Sequence, residues 1–247
     1  MEGRLSGQAA LVTGASSGLG RAAALELARE GAAVALLARD VTSLQQVSSE
    51  IARLGVRALP LRADLADEES LTAAVGQASS LPLTILVNAA GTDVPGPAAD
   101  LSTSDWDRVL AVNLRAPFIL ARASFPLMRA QGRGTIVNVS SVAGKRGWAN
   151  AAPYCASKFG LAGLTQVLAA EGRPHHIRAC LLVPGGMATG WGAWDAEQRR
   201  TPRAEPAPEA ALAPREVARL ISWICIAPPE VVLNEVIITP LEEQGWP

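Results

Sequence analysis

The chain has few of the residues that staple small folds or hold metals. Its three cysteines, Cys155, Cys180 and Cys225, are odd in number, scattered, and without Cys-x-x-Cys spacing. That pattern excludes a disulfide framework and a zinc site, and it reads as reduced thiols. The two histidines, His175 and His176, are adjacent and have no partner at ligand spacing, so they read as a solvated helix end and no metal is expected. An excess of charge of one sign is also missing. Against 22 basic residues stand 23 acidic ones, for a net charge of −1 and a pI of about 6.2. This argues against nucleic acid or an anionic membrane surface as a partner. No apolar run approaches the ~18 residues of a membrane-spanning helix. The start, Met1-Glu2-Gly3-Arg4, carries both charges and no apolar signal core, so the expected location is the cytoplasm. No internal repeat occurs.

What is present is a regular alternation. Short apolar runs at 8–13, 33–38, 57–62, 84–88, 134–139, 177–183 and 235–239 read as strands, and 19–30, 41–54, 68–78, 105–129, 152–171 and 214–226 read as helices. Such alternation predicts an α/β fold with a mainly parallel seven-stranded sheet covered on both faces. The length, 247 residues, suits one domain spanning 1–247. Pro117 and Pro126 are expected to kink the fourth helix or end it early. The stretch Thr201-Pro202-Arg203-Ala204-Glu205-Pro206-Ala207-Pro208 reads as a mobile surface loop. In a sheet whose ligand sits outside the carboxyl ends of the strands, a segment at 190–214 is placed to cover that ligand.

Two motifs carry chemistry. Thr13-Gly14-Ala15-Ser16-Ser17-Gly18-Leu19-Gly20 follows the apolar run Ala9-Ala10-Leu11-Val12 and precedes a strongly helical segment. Strand, glycine-rich turn and helix bring backbone N–H groups and a positive helix end onto a pyrophosphate. The spacing is Gly-x-x-x-Gly-x-Gly, not the common dinucleotide fingerprint Gly-x-Gly-x-x-Gly. The second motif is Tyr154-Cys155-Ala156-Ser157-Lys158, preceded by Ser141. Residues i and i+4 share a helix face, so the ammonium of Lys158 is expected beside the phenol of Tyr154. A free phenol has a pKa near ~10, and a neighbouring cation is expected to lower it by ~1–3 units. The tyrosine could then exchange a proton with a carbonyl or alcohol oxygen held by the hydroxyl of Ser141.

Together these residues resemble the short-chain dehydrogenase/reductase family, and the resemblance runs from the glycine turn through Pro184-Gly185-Gly186-Met187-Ala188-Thr189. It implies a doubly wound Rossmann-type domain. It also implies an NAD(P)-dependent enzyme interconverting a small carbonyl compound and an alcohol, with catalytic residues Asn113, Ser141, Tyr154 and Lys158. Asn113 would help hold a water next to the lysine. The alternative is a cofactor-binding regulator or interaction protein on the same fold.

The cofactor contacts implied by the resemblance are Gly14, Ser16, Ser17, Gly18, Leu19 and Gly20 at the turn, and Asp64 with Leu65 at adenine. Asn88, Ala89 and Gly91 would lie along the ribose, with Tyr154 and Lys158. Pro184, Gly185, Met187 and Thr189 would lie beside the nicotinamide. Ala89 departs from the family's Asn-Asn-Ala-Gly. The end of the second strand reads Ala38-Arg39-Asp40. Sites preferring NAD place a carboxylate there for the ribose 2′-hydroxyl, whereas an arginine accommodates a 2′-phosphate. If Asp40 caps the following helix it does not face the ribose. The expected cofactor is therefore NADP, with NAD the alternative. Trp148, Asn150, Trp191 and Trp194 are the expected substrate-pocket residues, and aromatics there favour a bulky or planar carbonyl compound. The strand near 235–239 lacks the Gly-Gly turn with which many members pack across a two-fold axis. A homodimer built on the helices of Asp105 and Tyr154 is therefore expected, with a homotetramer the alternative.

Overall fold

A computed structural model describes residues 3–190 and 210–243. Its centre is a seven-stranded sheet made of β1 (Ala9–Thr13), β2 (Ala33–Ala38), β3 (Ala58–Arg62), β4 (Leu83–Asn88), β5 (Gly134–Val139), β6 (Ile177–Pro184) and β7 (Glu235–Ile238). The spatial order is β3-β2-β1-β4-β5-β6-β7, and every pairing is parallel. The chain order reverses between β1 and β4, the switch point at which open α/β sheets bind their ligands. Parallel strands need crossovers, supplied here by α1 (Gly18–Arg29), α2 (Val41–Ala52), α3 (Glu68–Ala78), α4 (Thr103–Leu110), α5 (Ala116–Ala130), α6 (Ala152–Gly172) and α7 (Pro214–Ile226).

Strand periodicity divides the core. Ala10, Val12, Leu36, Val87 and Val139 face one side, with Leu27 of α1, Leu44 and Ile51 of α2 and Ile221 of α7. Leu11, Leu37, Leu86 and Ile136 face the other, with Leu71 of α3 and Ile119 and Leu120 of α5. Because both faces are covered, β1, β4 and β5 are buried along their full length, as parallel sheets require. Asp40, Asp67 and Ser102 cap α2, α3 and α4 through backbone N–H groups. The first turn of α1 differs: Ser17 makes no side-chain cap there.

The expected helix at 105–129 is corrected. The helical stretch begins at Thr103, widens into a π turn at Ala111–Arg115, and continues as α5 to Ala130. Pro117 has no N–H to offer the carbonyl of Asn113 four residues back, which disfavours a regular α turn at that place. Pro126 lies inside α5 without ending it. Among the described residues no helix is long and apolar enough to cross a membrane. Most of the expected covering segment, including Trp191, Trp194 and the stretch Thr201 to Pro208, lies outside the described residues. Its exit is described. Leu212 pairs with the turn after β6, its N–H on the carbonyl of Gly186 at 2.8 Å and its carbonyl accepting from Ala188 N–H at 2.9 Å.

Candidate active site

The glycine turn sits at the switch point and its shape depends on missing side chains. Gly14 adopts φ +67°, and a Cβ there would come within 3.1 Å of Ala90 Cα at the end of β4. A Cβ on Gly20 would collide with the backbone carbonyl of Gly14, so α1 can start this close to the turn only with glycine. Thr13 Oγ1 ties the two sides together by accepting from the N–H groups of Ala89 at 3.0 Å and Ala90 at 3.1 Å. Gly18 faces Thr189, whose Cγ2 would be 3.6 Å from an added Cβ. Thus the turn, the residues after Asn88 and the segment after Pro184 converge. The uncapped amides of the α1 first turn, with no acidic residue among them, suit a pyrophosphate.

Asn88 anchors a polar line across the core. Its Nδ2 donates to Asn138 Oδ1 at 2.8 Å, Asn138 Nδ2 to Thr165 Oγ1 at 2.9 Å, and Thr165 Oγ1 to the Leu161 carbonyl at 2.7 Å. Further out, Asp64 Oδ1 accepts from Ala66 N–H at 3.0 Å, which shapes the loop before α3 and leaves the second oxygen for another donor. Leu65 packs on the core beneath it. Asp40 is held as the cap of α2. Its Oδ1 accepts from Thr42 N–H at 3.0 Å and its Oδ2 from Ser43 Oγ at 2.6 Å. Those bonds keep its carboxyl below the usual range, the Ser43 hydroxyl contributing most. Arg39 is exposed beside it. The strand register adds a residue that sequence reading passed over: Arg62, also exposed, stands opposite Ala38 on β3.

The catalytic candidates lie across the turn from β4. Ser141 follows β5 and caps the short turn Val142–Gly144, with Oγ accepting from Ala143 N–H at 3.2 Å. Its side chain is also hydrogen-bonded to Tyr154, the chain's sole tyrosine, buried near the start of α6. One turn on, Lys158 is 4% exposed. Its Nζ donates to the Val139 carbonyl at 2.8 Å and lies 5.6 Å from the centre of the Tyr154 ring. Gly160 lets α6 approach the π turn, since a Cβ there would be 2.8 Å from Leu114 Cδ2.

The expected direction of the tyrosine pKa is corrected. Burial dominates and pushes the Tyr154 phenol up. The Ser141 hydrogen bond opposes this, and the charge of Asp93 adds to it. Burial also lowers Lys158 to about 8. In the chain alone, the phenol is thus held protonated and the ammonium is destabilised.

Asn113, 1% exposed, spends its amide on protein partners. Its Oδ1 accepts from Thr92 N–H at 2.9 Å, and its Nδ2 donates to the Thr92 carbonyl at 2.8 Å and to Ser157 Oγ at 3.1 Å. It therefore clamps the loop after Gly91 to α6. Sequence reading missed Thr92 and Ser157 as its partners. Pairing between distant segments decides such contacts, although the buried amide inside a helix signalled a need for partners. Of the pocket candidates, Trp148 is 45% exposed. Asn150 takes φ +65°, and its carbonyl accepts from Gly96 N–H at 3.0 Å. Trp191 and Trp194 lie outside the described residues. Among the described residues no cluster of side chains could hold a metal ion.

Comparison with known proteins agrees with this arrangement. Residues 8–200 match the family model of the short chain dehydrogenases. The chain is 33% identical over 245 residues, 98% of its length, to a glycine betaine reductase of Emericella nidulans, of which it spans only 19%. It is 34% identical over 241 residues to the 3-oxoacyl-(acyl-carrier-protein) reductase of Aquifex aeolicus, covering 96% of this chain and 97% of that protein. Among solved structures, a metagenomic short-chain oxidoreductase in complex with NADP superposes with a TM-score of 0.83 at 36% identity, covering 96% of this chain and 98% of the other. The glycine turn, the Ser141–Tyr154–Lys158 grouping and these matches agree: the chain belongs to the short-chain dehydrogenase family.

Proposed function

We propose that the protein interconverts a small-molecule carbonyl compound and a secondary alcohol, with NADP(H) as redox partner and Tyr154 as the group that exchanges the proton. It is an NAD(P)-dependent oxidoreductase by family. The observation that carries the finer reading is the hydrogen bond between Ser141 and buried Tyr154, one helical turn from Lys158. In the reductive direction NADPH supplies the hydride. Ser141 and Tyr154 hold the carbonyl oxygen, and the phenol passes its proton to that oxygen as negative charge develops there. A phenol kept protonated by burial is in the right state to act as an acid. Lys158 stabilises the phenolate left behind. Asn113 fixes the loop beside this centre through its side chain, leaving its main-chain carbonyl as its candidate contact to a water near Lys158.

The preference for NADP is supported by three features at one place. Ala38 offers no carboxylate, Asp40 is spent on its helix, and Arg39 and Arg62 are exposed with no ion-pair partner among the described residues. The similar structure solved with NADP agrees. Gly14, Ser16, Ser17, Gly18, Leu19 and Gly20 would hold the pyrophosphate. Asp64 and Leu65 would flank adenine, and Asn88, Ala89 and Gly91 the ribose. Pro184, Gly185, Met187 and Thr189 would flank the nicotinamide. Half-exposed Trp148 suits a bulky or planar substrate. Phe118 of α5 and Phe159 and Val167 of α6 are exposed and support a homodimer through these helices. Three buried, unpaired cysteines suit a reducing, cytoplasmic setting.

The test is NADPH consumption, followed by absorbance, with a panel of aryl and alkyl ketones and aldehydes. Turnover with at least one, and tighter binding of NADPH than NADH, is the expected result. A protein that binds neither nucleotide and reduces none of the panel contradicts the reading.

A further inference from the structure

A buried carboxylate near the proposed catalytic tyrosine has no role in the chemistry described so far. Asp93 lies on the loop that leaves β4, two residues past Gly91, and is 7% exposed. Among the described residues its one hydrogen bond is local: Oδ1 accepts from the N–H of Val94, the next residue, at 2.8 Å. Oδ2 has no hydrogen-bond partner and no cation is paired with the group.

The loop bearing this carboxylate is fixed on both sides. Thr92 is clamped by the Asn113 amide through two hydrogen bonds. Gly96 pairs with the segment just before Tyr154, its N–H on the Asn150 carbonyl at 3.0 Å. Both anchors fix the loop that carries Asp93, and its charge acts on the Tyr154 phenol. Burial pushes its own carboxyl up, partly offset by the Val94 bond. The side chain is mostly buried, yet Oδ2 is not sealed off as the unpaired Asn88 Oδ1 is, so it is open to an electropositive group entering the site.

We infer that Asp93 is a specificity-determining residue that receives an electropositive group, a hydroxyl proton or a fixed positive charge, on the carbon beside the reacting carbonyl. This rests on the carbonyl–alcohol reading above. Substrates of that class include α-hydroxyketones, their vicinal-diol products, and α-ammonio ketones. Ser141 and Tyr154 hold the reacting oxygen, and the neighbouring substituent meets Asp93 Oδ2. A hydrogen bond to a charged acceptor supplies about ten- to a hundredfold in discrimination.

The experiment compares kcat/KM for acetophenone, 2-hydroxyacetophenone and phenacyltrimethylammonium in wild type and in Asp93→Asn. Asparagine keeps the Val94 bond through its own oxygen, removes the charge, and turns a donor toward the substrate. The expected result is a preference for the hydroxyl or the cationic ketone over acetophenone that shrinks about ten- to a hundredfold in the variant. NADPH affinity reports that the variant is folded. Loss on the hydroxyl arm identifies a hydrogen-bond role, and loss on the cation arm a charge role. Intrinsic reactivity of the ketones cancels, because the quantity read is the change between the two proteins. Turnover of the series with preferences equal in both proteins overturns the inference and leaves the carbonyl–alcohol reading standing. Absence of turnover on all three ketones counts against both.

Discussion

Lys158 shows most clearly how single residues are set against stability here. Its ammonium is buried at 4% exposure, and burial lowers its pKa from 10.5 to about 8. Below pH 8 folded and unfolded chains both carry the charge, and the folded state bears the full burial penalty. Between pH 8 and 10.5 the folded chain gives up its proton first, so this group's contribution to stability improves as pH rises. The penalty at neutral pH is on the order of 3 kcal/mol. Lys158→Met is expected to raise the melting temperature of the cofactor-free protein at pH 7 by up to roughly 6–12 °C, at about 2–4 °C per kcal/mol, while abolishing turnover. The advantage should shrink from pH 8 to 10, and a lower melting temperature at pH 7 contradicts the burial argument. Arg39→Ala is expected to weaken NADPH binding about tenfold to a hundredfold more than NADH binding, read by calorimetry. Equal losses argue against a 2′-phosphate at that place. Tyr154 and Lys158 were legible because one helical period relates them. The direction of their pKa shifts was not, because burial depends on what β5 and the loop after Gly91 bring over them. Arg62 and Asp93 were likewise invisible: strand register sets one opposite Ala38, and the Thr92–Asn113 and Gly96–Asn150 bonds fix the loop of the other.

At the scale of elements, the strands were the most readable. Each buried strand is a short apolar run, and every one was placed within about one residue of its end. Helix starts were readable where a side chain caps them. Asp40 caps α2 with two backbone N–H bonds and a hydroxyl bond, so Asp40→Ala is expected to lower the melting temperature by about 2–4 °C. It should leave the ratio of NADPH to NADH affinity unchanged, and a changed ratio means that the carboxylate reaches the ribose. The break between α4 and α5 was the weakest reading. Two prolines announced an irregularity, but not its form. Pro126 fits inside α5, whereas Pro117 follows a π turn that carries Asn113. What decides between the two is tertiary: Asn113 must reach both Thr92 and Ser157, and a widened turn at that position is compatible with both bonds.

For the molecule as a whole, two covered sheet faces leave large apolar residues exposed on α5 and α6, including Phe159 at 48% exposure. Under the proposed dimer, Phe159→Asp should convert a dimeric species to monomer in light scattering at micromolar concentration with unchanged circular dichroism. A monomeric wild type contradicts the dimer. The fold followed from strand and helix alternation, and the family from motifs in order from the glycine turn through Pro184 to Thr189. The substrate did not follow, because the proposed pocket residues Trp148 and Asp93 come from segments far apart in the chain. The central claim is that Tyr154 exchanges the proton within a site that binds NADPH independently of that hydroxyl. The direct measurement is the rate of NADPH oxidation with a turned-over carbonyl compound, for wild type and Tyr154→Phe, together with NADPH affinity for both. The account predicts a fall in kcat of about 10²–10⁴ with NADPH affinity nearly intact. A Tyr154→Phe protein that keeps more than about half of the wild-type rate contradicts it, since a general acid contributes far more than a factor of two.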